Sequence, residues 1–145
     1  MLDRLPQRAP IAGELTELMG KAPVMRSSLQ FVAGSLFALK KQPPANQLKL
    51  VVLADPTDPA SEDVLLDLDQ LTAKGTTTID WYVPSLDGKT VGVSLSDNGS
   101  EEGTLHLFDV ASGRKLPDLV PRAQSATGGG SVAWAPGNRG LYYTR

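Results

Sequence analysis

The chain has 145 residues, 41% hydrophobic and 21% charged, with a formal net charge of −2 and no cysteine. That length gives room for about one domain. The near-neutral charge argues against nucleic acid or an anionic membrane surface as a partner, since either is served by clustered Lys and Arg, and the lack of cysteine excludes disulfides, thiolate catalysis and cysteine-based zinc sites.

In chain order, Met1-Leu2-Asp3-Arg4-Leu5-Pro6 lacks the basic start and apolar stretch of a secretory signal. No apolar run reaches the ~18–20 residues that span a bilayer. A soluble protein is expected, with cytoplasm and periplasm both open. Residues 12–19 predict a short helix: Leu15, Leu18 and Met19 recur at helical spacing, and Gly20 and Pro23 stop it. A helix this short is marginal alone and is expected to dock on another surface. From Leu29 onward every signal is β. Residues 29–32 and 35–39 flank Ala33-Gly34, a two-residue hairpin turn. Residues 40–46 read as a polar loop, 48–53 as a dense apolar strand, and Asp55-Pro56-Thr57-Asp58-Pro59 as its break. Residues 64–66 complete a first group of four strands. After a turn at Lys74-Gly75, residues 78–83, 90–96, 104–110 and 114–116 form a second group. Residues 117–130 are a long connection ending in Gly128-Gly129-Gly130, and 131–145 hold two further strands.

The last pair repeats an earlier one. Asp80-Trp81-Tyr82-Val83-Pro84-Ser85-Leu86-Asp87-Gly88-Lys89-Thr90-Val91-Gly92-Val93 and Ser131-Val132-Ala133-Trp134-Ala135-Pro136-Gly137-Asn138-Arg139-Gly140-Leu141-Tyr142-Tyr143 are each an apolar run, a turn and a second apolar run. With the turns in register, Asp87-Gly88 falls on Gly137-Asn138, Lys89 on Arg139, and Val91 and Val93 on Leu141 and Tyr143, 50 residues apart. A hairpin recurring at this interval marks a β-propeller blade. The expected fold is all-β: a partial β-propeller of two complete four-stranded antiparallel blades and half of a third, preceded by a short helix. The expected boundaries are a linker over 1–27, a propeller part over 28–145, and blades near 28–72, 76–118 and 131–145. Propellers close with roughly 4–8 blades, so the chain is expected to be a piece of a longer repeat protein. Trp81, Val91, Val93, Leu105, Leu107, Trp134, Leu141 and Tyr143 are the expected well-buried residues.

Catalytic chemistry is nearly absent from the sequence. His106 is the single histidine; Leu105 and Leu107 share one strand face, so His106 points the other way with Thr104 and Phe108. A lone histidine without a neighbouring nucleophile and carboxylate reads as an ordinary strand residue. Gly92-Val93-Ser94-Leu95-Ser96 lacks the last glycine of a nucleophile elbow and lies inside a strand. The acidic stretches 97–102 and Asp55, Asp58, Glu62, Asp63 do not have calcium-loop spacing and read as solvated turns. Gly128-Gly129-Gly130 is followed by no Gly-Lys-Ser/Thr and reads as a flexible connection rather than a phosphate loop. Trp81 and Trp134 read as wedges between blades rather than a ligand-stacking pair. No catalytic, cofactor or metal residue is assigned, and no cofactor is expected.

The ordered series of these features resembles the prolyl oligopeptidase group of serine peptidases, from the end of its N-terminal segment into its propeller. Leu5-Pro6-Gln7-Arg8 followed by Leu15-Thr16-Glu17-Leu18-Met19 is similar to its linker helix. Val64-Leu65-Leu66-Asp67 is similar to the last strand of its first blade. Asp80-Trp81-Tyr82-Val83-Pro84-Ser85 with Asp87-Gly88-Lys89 resembles its second-blade hairpin, and Ser94-Leu95-Ser96 with Gly99-Ser100-Glu101 the turn that follows. Leu116-Pro117-Asp118, Pro121-Arg122, Val132-Ala133-Trp134 and Tyr142-Tyr143-Thr144-Arg145 complete the run. Residues 127–130 depart as a small insertion, and Gly92 stands where a larger residue is usual. The resemblance implies a parent serine endopeptidase that cleaves short peptides after proline. Its catalytic triad would lie in an α/β-hydrolase domain of the same parent chain, and the propeller would cover the active site and restrict substrate size. The 145 residues alone are expected to be inactive, because no triad residue maps onto them. The competing reading is a non-catalytic propeller serving as a protein-interaction or ligand-binding scaffold, including a periplasmic sugar- or peptide-binding propeller.

Overall fold

The computed structural model describes residues 5–45, 47–71, 75–100, 102–123 and 131–144. Helix α1 spans Arg8–Gly20, and ten strands follow among the described residues. In the first sheet these are β1 (Met25–Val32), β2 (Ser35–Lys41), β3 (Lys49–Leu53) and β4 (Glu62–Asp67). A four-residue helix α2 (Leu68–Leu71) leads to the second, made of β5 (Thr77–Pro84), β6 (Thr90–Asp97), β7 (Thr104–Asp109) and β8 (Lys115–Val120). Strands β9 (Val132–Trp134) and β10 (Leu141–Tyr143) form a two-stranded sheet. Each four-stranded sheet is an antiparallel meander in sequence order, the form of a propeller blade.

The first turn forms as the sequence expects. Ala33 and Gly34 have φ of 51° and 87°, the pair of positive values that a two-residue hairpin turn needs to match strand twist. The 50-residue register holds at the level of hydrogen bonds. Ser85 N–H donates to Thr90 O at 2.7 Å and Ala135 N–H to Gly140 O at 2.9 Å. Within those turns Gly88 N–H reaches Ser85 O at 2.9 Å and Asn138 N–H reaches Ala135 O at 3.0 Å. The two tryptophans are not equivalent in this register: Trp134 pairs with Leu141 where Pro84 pairs with Val91.

Several elements run further than the sequence suggests. Helix α1 begins at Arg8, not Ala12, and takes Pro10 into its first turn; the first N–H groups of a helix have no intrahelical partner, so a proline there costs no bond. None of its residues is buried, so the docking surface expected for it is not among the described residues. Strand β8 runs through Pro117 to Val120. It lies at the edge of its sheet, where a missing N–H is tolerated. Helix α2 was not expected. The Lys74 half of the expected Lys74-Gly75 turn and residues 124–130, including the triple glycine, lie outside the described residues.

One core joins the two blades. Phe37, Leu39, Leu50, Val52, Leu65, Leu66 and Leu68 from the first meet Ile79, Tyr82, Val91, Val93, Leu95 and Phe108 from the second. Alternation along β2 and β3 sends Ala38, Val51 and Leu53 to the opposite face, as a separate small cluster. Of the eight residues expected to be well buried, Val91, Val93 and Leu105 are 0% exposed. Trp81, Leu107, Trp134 and Leu141 are half-buried. Tyr143 corrects the expectation at 46% exposed, because β10 is an edge strand with one neighbour.

Candidate functional site: the blade seams

The blades meet at two seams among the described residues. Across the first, β1 lies against β5. Gln30 Nε2 donates to Tyr82 O at 2.9 Å, and the Tyr82 hydroxyl donates to Ser28 O. Ser28 stands at a break in the β1–β2 register with φ 52°, which turns its carbonyl out of the ladder. Burial pushes the Tyr82 phenol pKa up, so the hydroxyl keeps its proton and remains a donor. At the turns, a Cβ on Gly88 would sit 3.2 Å from Ala33 Cβ. Gly88 itself has φ +68°, so the close approach and the backbone both favour glycine.

Across the second seam, Trp134 Nε1 donates to Val83 O at 3.2 Å, and Leu86 N–H donates to Asn138 Oδ1 at 2.9 Å. Trp134 is therefore a wedge between blades. Trp81 is half-buried, and its indole N–H is buried without a partner among the described residues. On the face that carries Ser94 and Ser96, both hydroxyls donate to Asp80, at 3.0 and 2.6 Å. A Cβ at Gly103 would collide with Ser94 Oγ and Asp80 Oδ2. Ser94 is thus a buried strand residue committed to a carboxylate.

His106 pairs with Val93 on the face that looks toward the first blade, as the alternation of β7 expects. Its Nδ1 is buried without a hydrogen-bond partner among the described residues. Burial lowers its pKa below the ordinary value of 6.5; Lys115 lowers it further and Asp97 opposes this. It lines a shallow cavity of about 580 Å³ with Leu71, Thr77, Asp97, Glu102 and Lys115 among others. The Asp97 carboxylate is bonded to Thr77 Oγ1 at 2.6 Å. The other acidic stretch is built as turns: Asp55 accepts from Thr57, and Asp58 caps the 3₁₀ turn Pro59–Ser61 through Ala60 N–H. Among the described residues no three His, Asp or Glu side chains converge on a metal-sized site.

Sequence reasoning missed a charged network on the outward face of the first blade. Glu62 accepts from Arg26 and Lys40, joining β4 to β1 and β2 over the Ala38, Val51 and Leu53 cluster. Its side chain is 9% exposed. Burial alone would raise the Glu62 carboxyl, but the hydrogen bonds and charges of Lys40 and Arg26 more than offset this and hold it below the ordinary 4.5. The only sequence signal was the out-of-pattern charge of Lys40 at the end of an apolar strand.

Sheets, seams and repeated turns define this chain as part of a β-propeller. The family model of the prolyl oligopeptidase N-terminal β-propeller domain matches residues 1–145. The chain belongs to that family. A solved prolyl endopeptidase, from work on inter-domain dynamics in catalysis and specificity, is similar at 26% identity and a TM-score of 0.83 over 98% of this chain and 20% of its own. Prolyl oligopeptidase B from Galerina marginata is similar in fold at 18% identity, with a 35mer substrate bound (TM-score 0.78, 99% of this chain and 22% of its own) and as apo protein (TM-score 0.70, 99% and 22%). The chain spans about a fifth of the length of these structures.

Proposed function

We propose that this chain is the propeller portion of a serine peptidase that cleaves short peptides after proline by acyl transfer. The propeller covers the active site and keeps out large folded substrates. Its partner is an α/β-hydrolase catalytic domain in the same parent chain, and short proline-containing peptides are the parent's substrates. The single observation that carries the reading is the family match along all 145 residues, at 26% identity to a prolyl endopeptidase. The chemistry of the chain agrees with a covering rather than a reacting role. Ser94 and Ser96 of the second blade donate to Asp80, and burial, with Lys115, lowers the pKa of the single histidine, His106.

The test is hydrolysis by the intact protein that carries this chain. It should release the fluorophore from a Gly-Pro substrate, spare the Gly-Ala counterpart, and leave a folded protein substrate uncut. The 145 residues alone should be inert. Equal turnover of the Gly-Pro and Gly-Ala substrates would sink the specificity. Cleavage by the chain alone that disappears in His106→Ala would sink the covering role.

A further inference from the structure

We propose that Asn98 is a site of spontaneous, charge-changing modification: attack by the Gly99 backbone nitrogen and then by water converts it to aspartate and isoaspartate. Asn98 and Gly99 lie at the tip of the connection leaving β6, and both are exposed. Their φ values are 55° and 70°, and Ser100 N–H donates to Asp97 O at 3.0 Å, which closes a tight turn over them. Asn98 N–H is held by Thr76 O at 3.0 Å. The Gly99 N–H and the Asn98 carboxamide, the two groups that react, take part in no hydrogen bond among the described residues. Glycine at 99 places no side chain in the path of attack, and even an added Cβ would find nothing within 4 Å.

The step balances without any cofactor. The Gly99 nitrogen loses its proton to water and bonds to Asn98 Cγ. The Cγ–Nδ2 bond breaks, and the amide leaves as ammonia with a proton from water. Water then opens the five-membered imide at one of its two carbonyls. Opening at one carbonyl yields aspartate; opening at the other yields a β-linked isoaspartate.

The chain contains its own control. Asn138 also has a positive φ, of 55°. Its Oδ1 is tied to Leu86 N–H, and the residue that follows it is Arg139 rather than a glycine. The consequence at Asn98 is local and electrostatic. A carboxylate there stands next to Asp97 at the rim of the cavity that Glu102, His106 and Lys115 line. The isoaspartate form also lengthens the backbone between the Asn98–Thr76 and Ser100–Asp97 hydrogen bonds, which both then have to give.

Mass spectrometry of the intact protein, aged at neutral and mildly alkaline pH and then digested with trypsin, tests this. The peptide from Thr90 to Arg114 should gain the mass of NH₂ replaced by OH, with isoaspartate detectable by carboxyl methylation. It should do so roughly tenfold faster than the peptide carrying Asn138, and faster as pH rises, because the nucleophile is the deprotonated amide. Gly99→Ala should slow it and Asn98→Asp should abolish the mass change. If Gly99→Ala unfolds the protein, the within-chain comparison with Asn138 still decides. A Thr90–Arg114 peptide that keeps its mass, or changes no faster than that of Asn138, overturns the proposal.

Discussion

The two seams of this chain are built differently. Between the first and second blades, thirteen buried apolar residues form one cluster, and two side-chain hydrogen bonds from Gln30 and Tyr82 cross it. On the other face of the second blade Trp81 and Leu107 are only half-buried, and the bonds that cross to β9–β10 are those of Trp134, itself half-buried, and Asn138. A blade gains much of its stability from the neighbour it stacks on. Four strands on each side give the first seam a full apolar face, whereas β9 and β10 offer three residues each.

The largest expected effect lies at the first seam. Phe37→Ala, at 0% exposure, should cost ~3–5 kcal/mol in chemical denaturation of the intact protein, the usual cost of deleting a buried aromatic. The same truncation of the half-buried Leu107 should cost clearly less, ~2 kcal/mol, at the low end for a large aliphatic residue. Equal costs would erase the difference between the seams.

Glu62→Gln comes next. It leaves Arg26 and Lys40 facing a neutral group over an apolar floor, and should cost about 1–3 kcal/mol, between the values for exposed and buried pairs. The same carboxylate sets an acid window. Its folded pKa is depressed, so its contribution is present above the ordinary 4.5 and is lost as pH falls through the lower folded value. Asp67 acts in the same direction: its hydrogen bond from Lys49 holds it below the ordinary 3.8, against the opposing pull of burial. Thermal melting across pH 5 to 2 should show a steep fall that Glu62→Gln flattens; an unchanged profile in the variant would remove this network from the stability of the first blade.

Tyr82→Phe should cost about 1–2 kcal/mol, because it strands the Ser28 carbonyl inside the first seam. Trp134→Phe, which loses a longer bond at a half-buried seam, should cost ~0.5–1 kcal/mol. Reversal of that order in denaturant midpoints would mean that the second seam is the tighter one.

The smallest effect is that of His106. Its folded pKa is depressed, so the unfolded chain binds the proton more readily and stability declines as pH drops below about 6.5, until the folded value is passed. His106→Gln should remove that shallow decline while leaving the deeper acid limb intact. A decline that persists in the variant would assign it to another group.

Most of the architecture was legible in the chain because its signals were local. Ala33-Gly34 could be read as a hairpin turn from two residues, and both have positive φ. The 50-residue register, legible from the turn residues, recurs in the matching hydrogen bonds of 85–90 and 135–140. Helix α2 left no trace, since four residues carry no periodicity to read. Tyr143 was misplaced because its pattern matched Val93, while its burial depended on strands that would have to lie beside β10.

The sequence by itself determined the strand pattern, the turn chemistry and the repeat, because backbone preference and side-chain alternation act over neighbouring residues. It also carried the resemblance that the family model bears out. Only the tertiary structure decided which face of each blade is sealed. The choice between Phe37 and Ala38, or Leu50 and Val51, as the seam side turns on what the next sheet presents. The Gln30–Tyr82, Tyr82–Ser28 and Arg26–Glu62 contacts join residues 36 to 54 positions apart. Pairing offsets the cost of taking these polar groups out of water, and no local pattern encodes a partner so far along the chain.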